Sequence, residues 1–275
     1  FAEALTAFQS SLSQAQSLGY SAPFFLMRIY IRIGNQYESL SHYEQALATF
    51  LKALDYGPEN AALHNNLGIV YARLGNHDEA ISWLEKAIEL DPKYFIAQVN
   101  LGGIAASNRN FSLARQAYQN ALALNPDTVV RRSLGKIEYE LENFDAAISV
   151  FQTILDRHPN DSQTFYDLAL AYAKTGHYAL ARETILKAIQ YAPEDPDSYF
   201  TLGSICMYQK DYPQAEKAYQ KALSLKPESP DVHIGLALAY AGLGDLDRAR
   251  QTLRQALVID PLNAEAKQHL QTISR

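Results

Sequence analysis

The stretch AALHNNLGIVYARLGNHDEAISWLEKAIELDPKY, residues 61–94, decides the fold. Leu67, Gly68 and Tyr71 recur at helical spacing and mark the inner face of a first helix. Gly75 and Asn76 read as a turn. Ala80, Leu84 and Ala87 then return at the same spacing and mark a second helix, which Asn76 is placed to cap through its side-chain oxygen. Pro92 ends that helix, because it lacks an N–H and disfavours helix at the residue before it. The stretch is expected to be two amphipathic helices, A and B.

This unit recurs along the chain. Ala46, Ala80, Ala114, Ala147, Ala181, Ala215 and Ala249 are spaced by 34, 34, 33, 34, 34 and 34 residues. Pro58, Pro92, Pro126, Pro159, Pro193, Pro227 and Pro261 keep the same spacings, the single 33 included. Two residue types with unlike physical roles hold one register, which is the mark of a repeat architecture. Asn110, Asn143, Asp211 and Asp245 stand where Asn76 stands. Gly34, Gly68, Gly102, Gly135, Ala169, Gly203 and Ala237 are expected to face the recurrent alanines, small against small, so that the two helices approach closely.

The pattern resembles the tetratricopeptide repeat. Counting positions within one repeat, that family places a large residue at 4, Leu at 7, Gly or Ala at 8, Tyr at 11, Ala at 20, a large apolar residue at 24, Ala at 27 and Pro at 32. Positions 7, 8, 20, 24 and 32 fit in every copy, with Ile33 accepted at 7, and Ile154 departs from Ala at 27. The copies run 27–60, 61–94, 95–127, 128–161, 162–195, 196–229 and 230–263. Phe1, Ala4 and Phe8 match positions 17, 20 and 24, so residues 1–18 read as helix B of a truncated repeat, joined by a connection over 19–26. Residues 264–275 read as a capping helix with a polar outer side. The resemblance implies an all-α, right-handed superhelical solenoid of antiparallel helix pairs, a single domain over 1–275.

Composition limits the functional classes. The net charge of −6 is shared evenly, −3 over residues 1–127 and −3 over 128–275, which argues against a nucleic-acid footprint. No apolar run has the length of a membrane helix. Cys206 is the single cysteine, so no intrachain disulfide and no multi-cysteine zinc site can form. Absence of disulfides fits the cytosol and leaves the periplasm open. The chain opens at Phe1 rather than Met, so residues are expected to precede it, and with them any signal peptide or anchor.

Catalytic and cofactor readings fail on position. His42, His77 and His177 fall at A–B turns, and His64 and His233 fall in the core stack at position 4. No pair of them has metal-ligand spacing. Gly242-Leu-Gly244 follows a helix where a phosphate-binding fingerprint needs a strand. Cys206 occupies core position 11, and Asn110-Phe-Ser112 and Asn160-Asp-Ser162 coincide with a cap and a turn. Half of the tyrosines sit at positions that the family buries. The chain is therefore expected to be no enzyme, with no catalytic residue, cofactor or metal.

The resemblance implies a concave groove built from helix A positions 2, 5, 6, 9, 12 and 13. In the first four repeats these hold Arg28, Arg32, Arg73, Arg132 and Lys136 against Glu38 and Glu140, a balance of +3. In the last three they hold Lys174 against Asp167, Asp197 and Asp231, a balance of −2. Asn35, Asn66 and Asn100 add amides able to bond an extended peptide backbone, and Tyr166 and Phe200 stand at position 5 as aromatic contacts. The expected function is a scaffold binding a partner protein or peptide with an acidic or carboxylate-bearing segment. Rival readings are a docking arm of a larger enzyme, and self-association through the solenoid ends. The chaperone-binding carboxylate clamp is not met, since Ile31, Ile96 and Asn100 replace its basic residues. The asparagine ladder of O-linked sugar transferases is met only by Asn66 and Asn100. Arg131 and Glu138, at positions 4 and 11 of the fourth repeat, stand where the family stacks apolar and Tyr side chains, and they are two turns apart on one face. Looser packing is expected there.

Overall fold

The computed structural model describes residues 23–273, with residues 6, 7, 10, 13 and 14. The half-repeat expected over 1–18 lies mostly outside the described residues. Two compact units divide the chain, residues 1–141 and 142–275. Among the described residues every regular element is an α-helix. The first unit holds α1 (Pro23–Ser39), α2 (Tyr43–Leu54), α3 (Ala61–Arg73), α4 (His77–Leu90), α5 (Phe95–Ser107), α6 (Phe111–Leu124) and α7 (Thr128–Glu140). The second holds α8 (Phe144–Leu155), α9 (Ser162–Lys174), α10 (Tyr178–Tyr191), α11 (Pro196–Tyr208), α12 (Tyr212–Leu225), α13 (Pro230–Gly242), α14 (Leu246–Ile259) and α15 (Ala264–Ile273). Odd numbers are A helices, even numbers B helices, and α15 stands at the place of a further A helix. Helix α1 begins at Pro23, inside the stretch that the repeat spacing assigns to the connection; proline suits a first helical turn.

Within each unit, helices adjacent in sequence pack on one another. Most A helices also touch the next A helix: α1 meets α3, α3 meets α5, α9 meets α11, α11 meets α13 and α13 meets α15, whereas α7 packs on α6. The A helices are therefore the crowded inner layer of each unit.

Each A–B turn is built the same way. Position 15 is left-handed in every copy: Gly75, Gly176 and Gly244, and also Ser41, Arg109, Glu142 and Lys210 at φ 57° to 60°. The next residue donates its amide back across the helix end, His42 to the Tyr37 carbonyl (2.9 Å), Asn76 to Tyr71 (2.9 Å) and Asn110 to Ala105 (2.8 Å). This bond satisfies a carbonyl that the helix end leaves open. The non-glycine residues hold the left-handed conformation at a cost of about 1–2 kcal/mol each.

Capping follows the sequence in part. Asn110, Asp211 and Asp245 accept from the amides of Leu113, Gln214 and Arg248, whereas Asn76 makes no side-chain cap. A second set of caps closes the A helices from the last residue of the preceding repeat. Asn60 accepts from Leu63, Asp127 from Val129 and Val130, Asp161 from Thr164, and Asp195 from Ser198. Replacing such a cap by alanine costs about 1 kcal/mol.

The position-20 alanines, Ala46 through Ala249, are fully buried, as are Phe50, Leu63, Leu67 and Leu84 in the first unit and Ile185 and Leu253 in the second. Ile154 fills position 27 and is buried. The position-8 glycines meet the large side chain of position 24 more closely than the alanines of position 20. A Cβ on Gly102 would lie 2.5 Å from Tyr118 Cε1, one on Gly203 2.6 Å from Tyr219 Cε1, and one on Gly68 2.7 Å from Leu84 Cγ. The space given up by the glycine is occupied by the large side chain at position 24. At Gly68 the Ala80 carbonyl oxygen, 3.0 Å from such a Cβ, closes the site from the other side.

The fourth repeat is the irregular one. Glu138 is buried in α7, and Arg115 of α6 brings a guanidinium nitrogen to 4.0 Å from its carboxylate. The boundary between the units, after Leu141, falls in the A–B turn of this same repeat.

Two adjacent glycines give opposite expectations. Gly102→Ala should cost about 1–3 kcal/mol, because the buried Tyr118 ring must move. Gly103→Ala places its Cβ 3.7 Å from the Tyr118 hydroxyl, an ordinary contact, and should be neutral or stabilise by up to about 1 kcal/mol through helix propensity. Thermal melting of the two variants measures the difference; equal midpoints would refute the packing assigned to position 8.

Candidate partner-binding surface

In the first unit the expected basic and amide residues all lie on A helices. Arg28, Arg32 and Asn35 are exposed on α1. Arg28 and Arg32 are one turn apart, and Asn35 follows Arg32 by three residues, so the three share a face. The Arg28 guanidinium lies 5.7 Å from the centre of the Phe24 ring. Asn66 is half-buried on α3, and Arg73 is exposed at its C-terminal end. Asn100 is half-buried on α5. On α7, Arg132 is half-buried and Lys136 exposed, again one turn apart.

The asparagines are joined through a residue that the sequence reading passed over. Asn100 donates its side-chain N–H to the Asn65 oxygen (2.8 Å), Asn65 donates to Asn66 (3.3 Å), and Asn66 donates to Asn35 (3.0 Å). The chain of amides thus crosses α5, α3 and α1. Asn65 is only 3% exposed, and a buried amide needs partners. Position 5 was the available signal, since the family turns it toward the groove and the second repeat carries asparagine at both 5 and 6. Every bond in the chain points the same way, so each amide polarises the next. The acceptor end is the Asn100 oxygen. The donor end is the Asn35 N–H₂, on the same helix face as Arg28 and Arg32.

In the second unit, Tyr166 is half-buried on α9, with its hydroxyl bonded to Thr201 of α11. Burial, and then the nearby Asp197, Asp195 and Asp167, push the phenol up, so it remains a neutral donor. Asp167 is buried at 7% exposure, and Gln163 donates to it at 3.3 Å. Phe200 is half-buried, its ring 5.8 Å from that of Tyr219. Phe200 and Tyr219 also line a pocket of about 400 Å³ among α11, α12, α13 and α15, which position-by-position reading did not reveal.

The histidines sit in structural surroundings. His64 Nδ1 lies 3.0 Å from the Asn60 carbonyl and its ring 5.4 Å from Trp83, while His177 Nδ1 lies 2.8 Å from Thr175 Oγ1. Among the described residues no three His, Cys, Asp or Glu side chains are placed to hold a metal, and no helix is long and apolar enough to cross a membrane. Burial raises the Cys206 thiol above its ordinary value, the opposite of what a nucleophile needs.

Family models described as tetratricopeptide repeat match residues 26–93, 207–272 and, in overlapping windows, 86–128, 99–162, 132–199 and 166–230. No curated protein matches the chain by sequence. Among solved structures, the C-terminal part of a TPR repeat-containing protein from Cytophaga hutchinsonii matches with TM-score 0.71 and 21% identity, over 87% of this chain and 99% of that one. YrrB, a TPR protein with an unusual peptide-binding site, matches with TM-score 0.56 and 20% identity, over 66% of this chain and 95% of that one. The Cut9–Hcn1 hetero-tetramer of the APC/C matches with TM-score 0.64 and 20% identity, over 98% of this chain. This chain spans about half, 53%, of the length of that last one. These likenesses concern the fold.

The amide chain makes a prediction of its own. Asn65→Ala leaves an Asn66 oxygen and an Asn100 N–H without their partners, and should lower stability by about 1–3 kcal/mol. Asn35→Ala, at the exposed end, should cost less than about 1 kcal/mol. Chemical denaturation of both variants compares them; an equal loss would show that the amides do not act as a chain.

Proposed function

The chain belongs to the tetratricopeptide repeat family, and on that premise we propose that it is a scaffold, not an enzyme, whose A-helix face in the first unit holds an extended segment of a partner protein. The observation that carries this reading is the polarised amide chain from Asn100 to Asn35, ending beside Arg28 and Arg32. Amides offer both donors and acceptors, which suits the alternating N–H and C=O groups of a peptide backbone. The donor end and the two arginines together suit a carboxylate, because an arginine fork binds one through two parallel, charge-assisted hydrogen bonds. Arg73, Arg132 and Lys136 extend the positive character along α3 and α7. YrrB, with its peptide-binding site, and the Cut9–Hcn1 assembly support protein binding as a use of this fold.

Affinity in such a site comes from many modest contacts on a preformed surface, with charge fixing the register. A partner segment rich in aspartate or glutamate, or ending in a free carboxylate, is the expected occupant. Regulatory attachment to a larger enzyme finds no specific support in this geometry.

The test uses a glutamate-rich peptide with a free C-terminus and its glutamine counterpart, followed by fluorescence anisotropy. Wild type should prefer the acidic peptide by about tenfold or more, roughly 1.4 kcal/mol, and the preference should fall as salt rises. Arg32→Glu with Arg132→Glu should abolish the preference while the melting curve stays native. A double variant that binds the acidic peptide as wild type does would overturn the assignment to this face.

A further inference from the structure

The pocket in the second unit is a different chemical environment. Its inner wall is the Tyr219 ring, only 3% exposed, lying over Gly235. A Cβ at 235 would stand 2.7 Å from Tyr219 Cζ, so the glycine is what admits the ring. The Tyr219 hydroxyl is pinned at 3.2 Å from Ser204 Oγ. Phe200 tilts against the same ring at 52°. At the mouth stands Tyr208, 68% exposed yet held in place by a parallel stack on Tyr178, with ring centres 5.1 Å apart and 8° between planes. Asp231, at the start of α13, and Glu265, in the first turn of α15, supply two carboxylates, and the lining carries no basic side chain.

An exposed large aromatic held flat at the mouth of a cavity with two carboxylates and no cation is complementary to a planar cation. Helix-dipole stabilisation explains why acidic residues stand in the first turns of α13 and α15. It does not explain the open cavity, the exposed Tyr208, or the glycine that lets Tyr219 form the wall. His269 Nε2 lies 3.6 Å from Glu265 Oε1, on the same helix and outside the pocket lining.

We propose that this pocket takes an arginine side chain of a bound peptide, its guanidinium stacked on the aromatic rings and paired with Asp231 and Glu265, with an apolar neighbour against Ile234 and Leu238. Arginine rather than lysine fits because its plane stacks on aromatic faces and its fork serves carboxylates. The inference rests on the reading of the chain as a peptide-binding scaffold, but it concerns the second unit and a charge opposite to that expected for the first.

The probe is a short labelled peptide with one arginine between leucines, compared with a twin carrying citrulline, which keeps the shape and removes the charge. Wild type near neutral pH should bind the arginine peptide about tenfold more tightly than the citrulline twin. Asp231→Asn with Glu265→Gln should bring the two within about twofold of each other. Tyr208→Leu, at an exposed position, should weaken the arginine peptide while the protein stays natively folded. Equal binding of the two peptides by wild type, no binding of the arginine peptide at millimolar concentration, or undiminished preference in a natively folded Asp231→Asn, Glu265→Gln protein would each overturn the proposal. Arg32→Glu with Arg132→Glu should leave arginine-peptide binding unchanged, so failure of the first-unit assignment and failure of this one are read separately.

Discussion

The architecture depends on one steric bargain: position 8 of a repeat is kept to glycine or alanine so that a large side chain from position 24 can lie against it. Gly68 accommodates Leu84, Gly102 accommodates Tyr118, and Gly203 accommodates Tyr219. Fully buried alanines at position 20 hold the two helices of a repeat at the same close distance. Because the contact is a packed one with little space to spare, it leaves the helix pair a single arrangement. Everything on the A face takes its position from that. The Tyr219 ring that Gly203 admits from one side is admitted by Gly235 from the next repeat, and so becomes the wall of the second unit's pocket.

Polar groups show the same economy of position. Gln152 donates to the Tyr172 hydroxyl and Gln220 to the Tyr240 hydroxyl, the same pair of repeat positions two copies apart. The caps at the ends of Asn60, Asp127, Asp161 and Asp195 recur in the same manner. Repetition therefore distributes stabilisation along each unit, while the departures from repetition carry the chemistry. Asn65 beside Asn66, Gly235 at position 6 and Tyr208 at position 13 are such departures, and each lies on the inner layer.

How much of this was legible in the sequence depends on the range of the interaction. Helices, turns and the buried alanines follow from periodicity and local chemistry, and Arg28, Arg32, Asn66, Asn100 and Lys136 stand on the A helices where the repeat register puts them. Side-chain reach is another matter. Nothing in the spacing shows that Asn65 links Asn66 to Asn100, since that bond joins residues 35 apart in the chain. Position 6 suggests a groove residue in Asp167, yet neighbouring side chains bury it. The left-handed turn residues at Arg109, Glu142 and Lys210 are equally hidden, because no glycine announces them. Burial and reach are set by the neighbouring helix, which a single-repeat pattern does not contain.

The central claim is that the inner face of the first unit, and not its outer layer, meets the partner. Nuclear magnetic resonance with the acidic peptide tests it most directly, because the side-chain N–H₂ groups of asparagine report hydrogen bonding one residue at a time. The account predicts that addition of peptide shifts the side-chain signals of Asn35, Asn66 and Asn100, and the backbone signals of α1, α3 and α5. Signals of the outer helices α2, α4 and α6 should move little. Shifts concentrated on those outer helices, with the asparagine side chains unmoved, would contradict it.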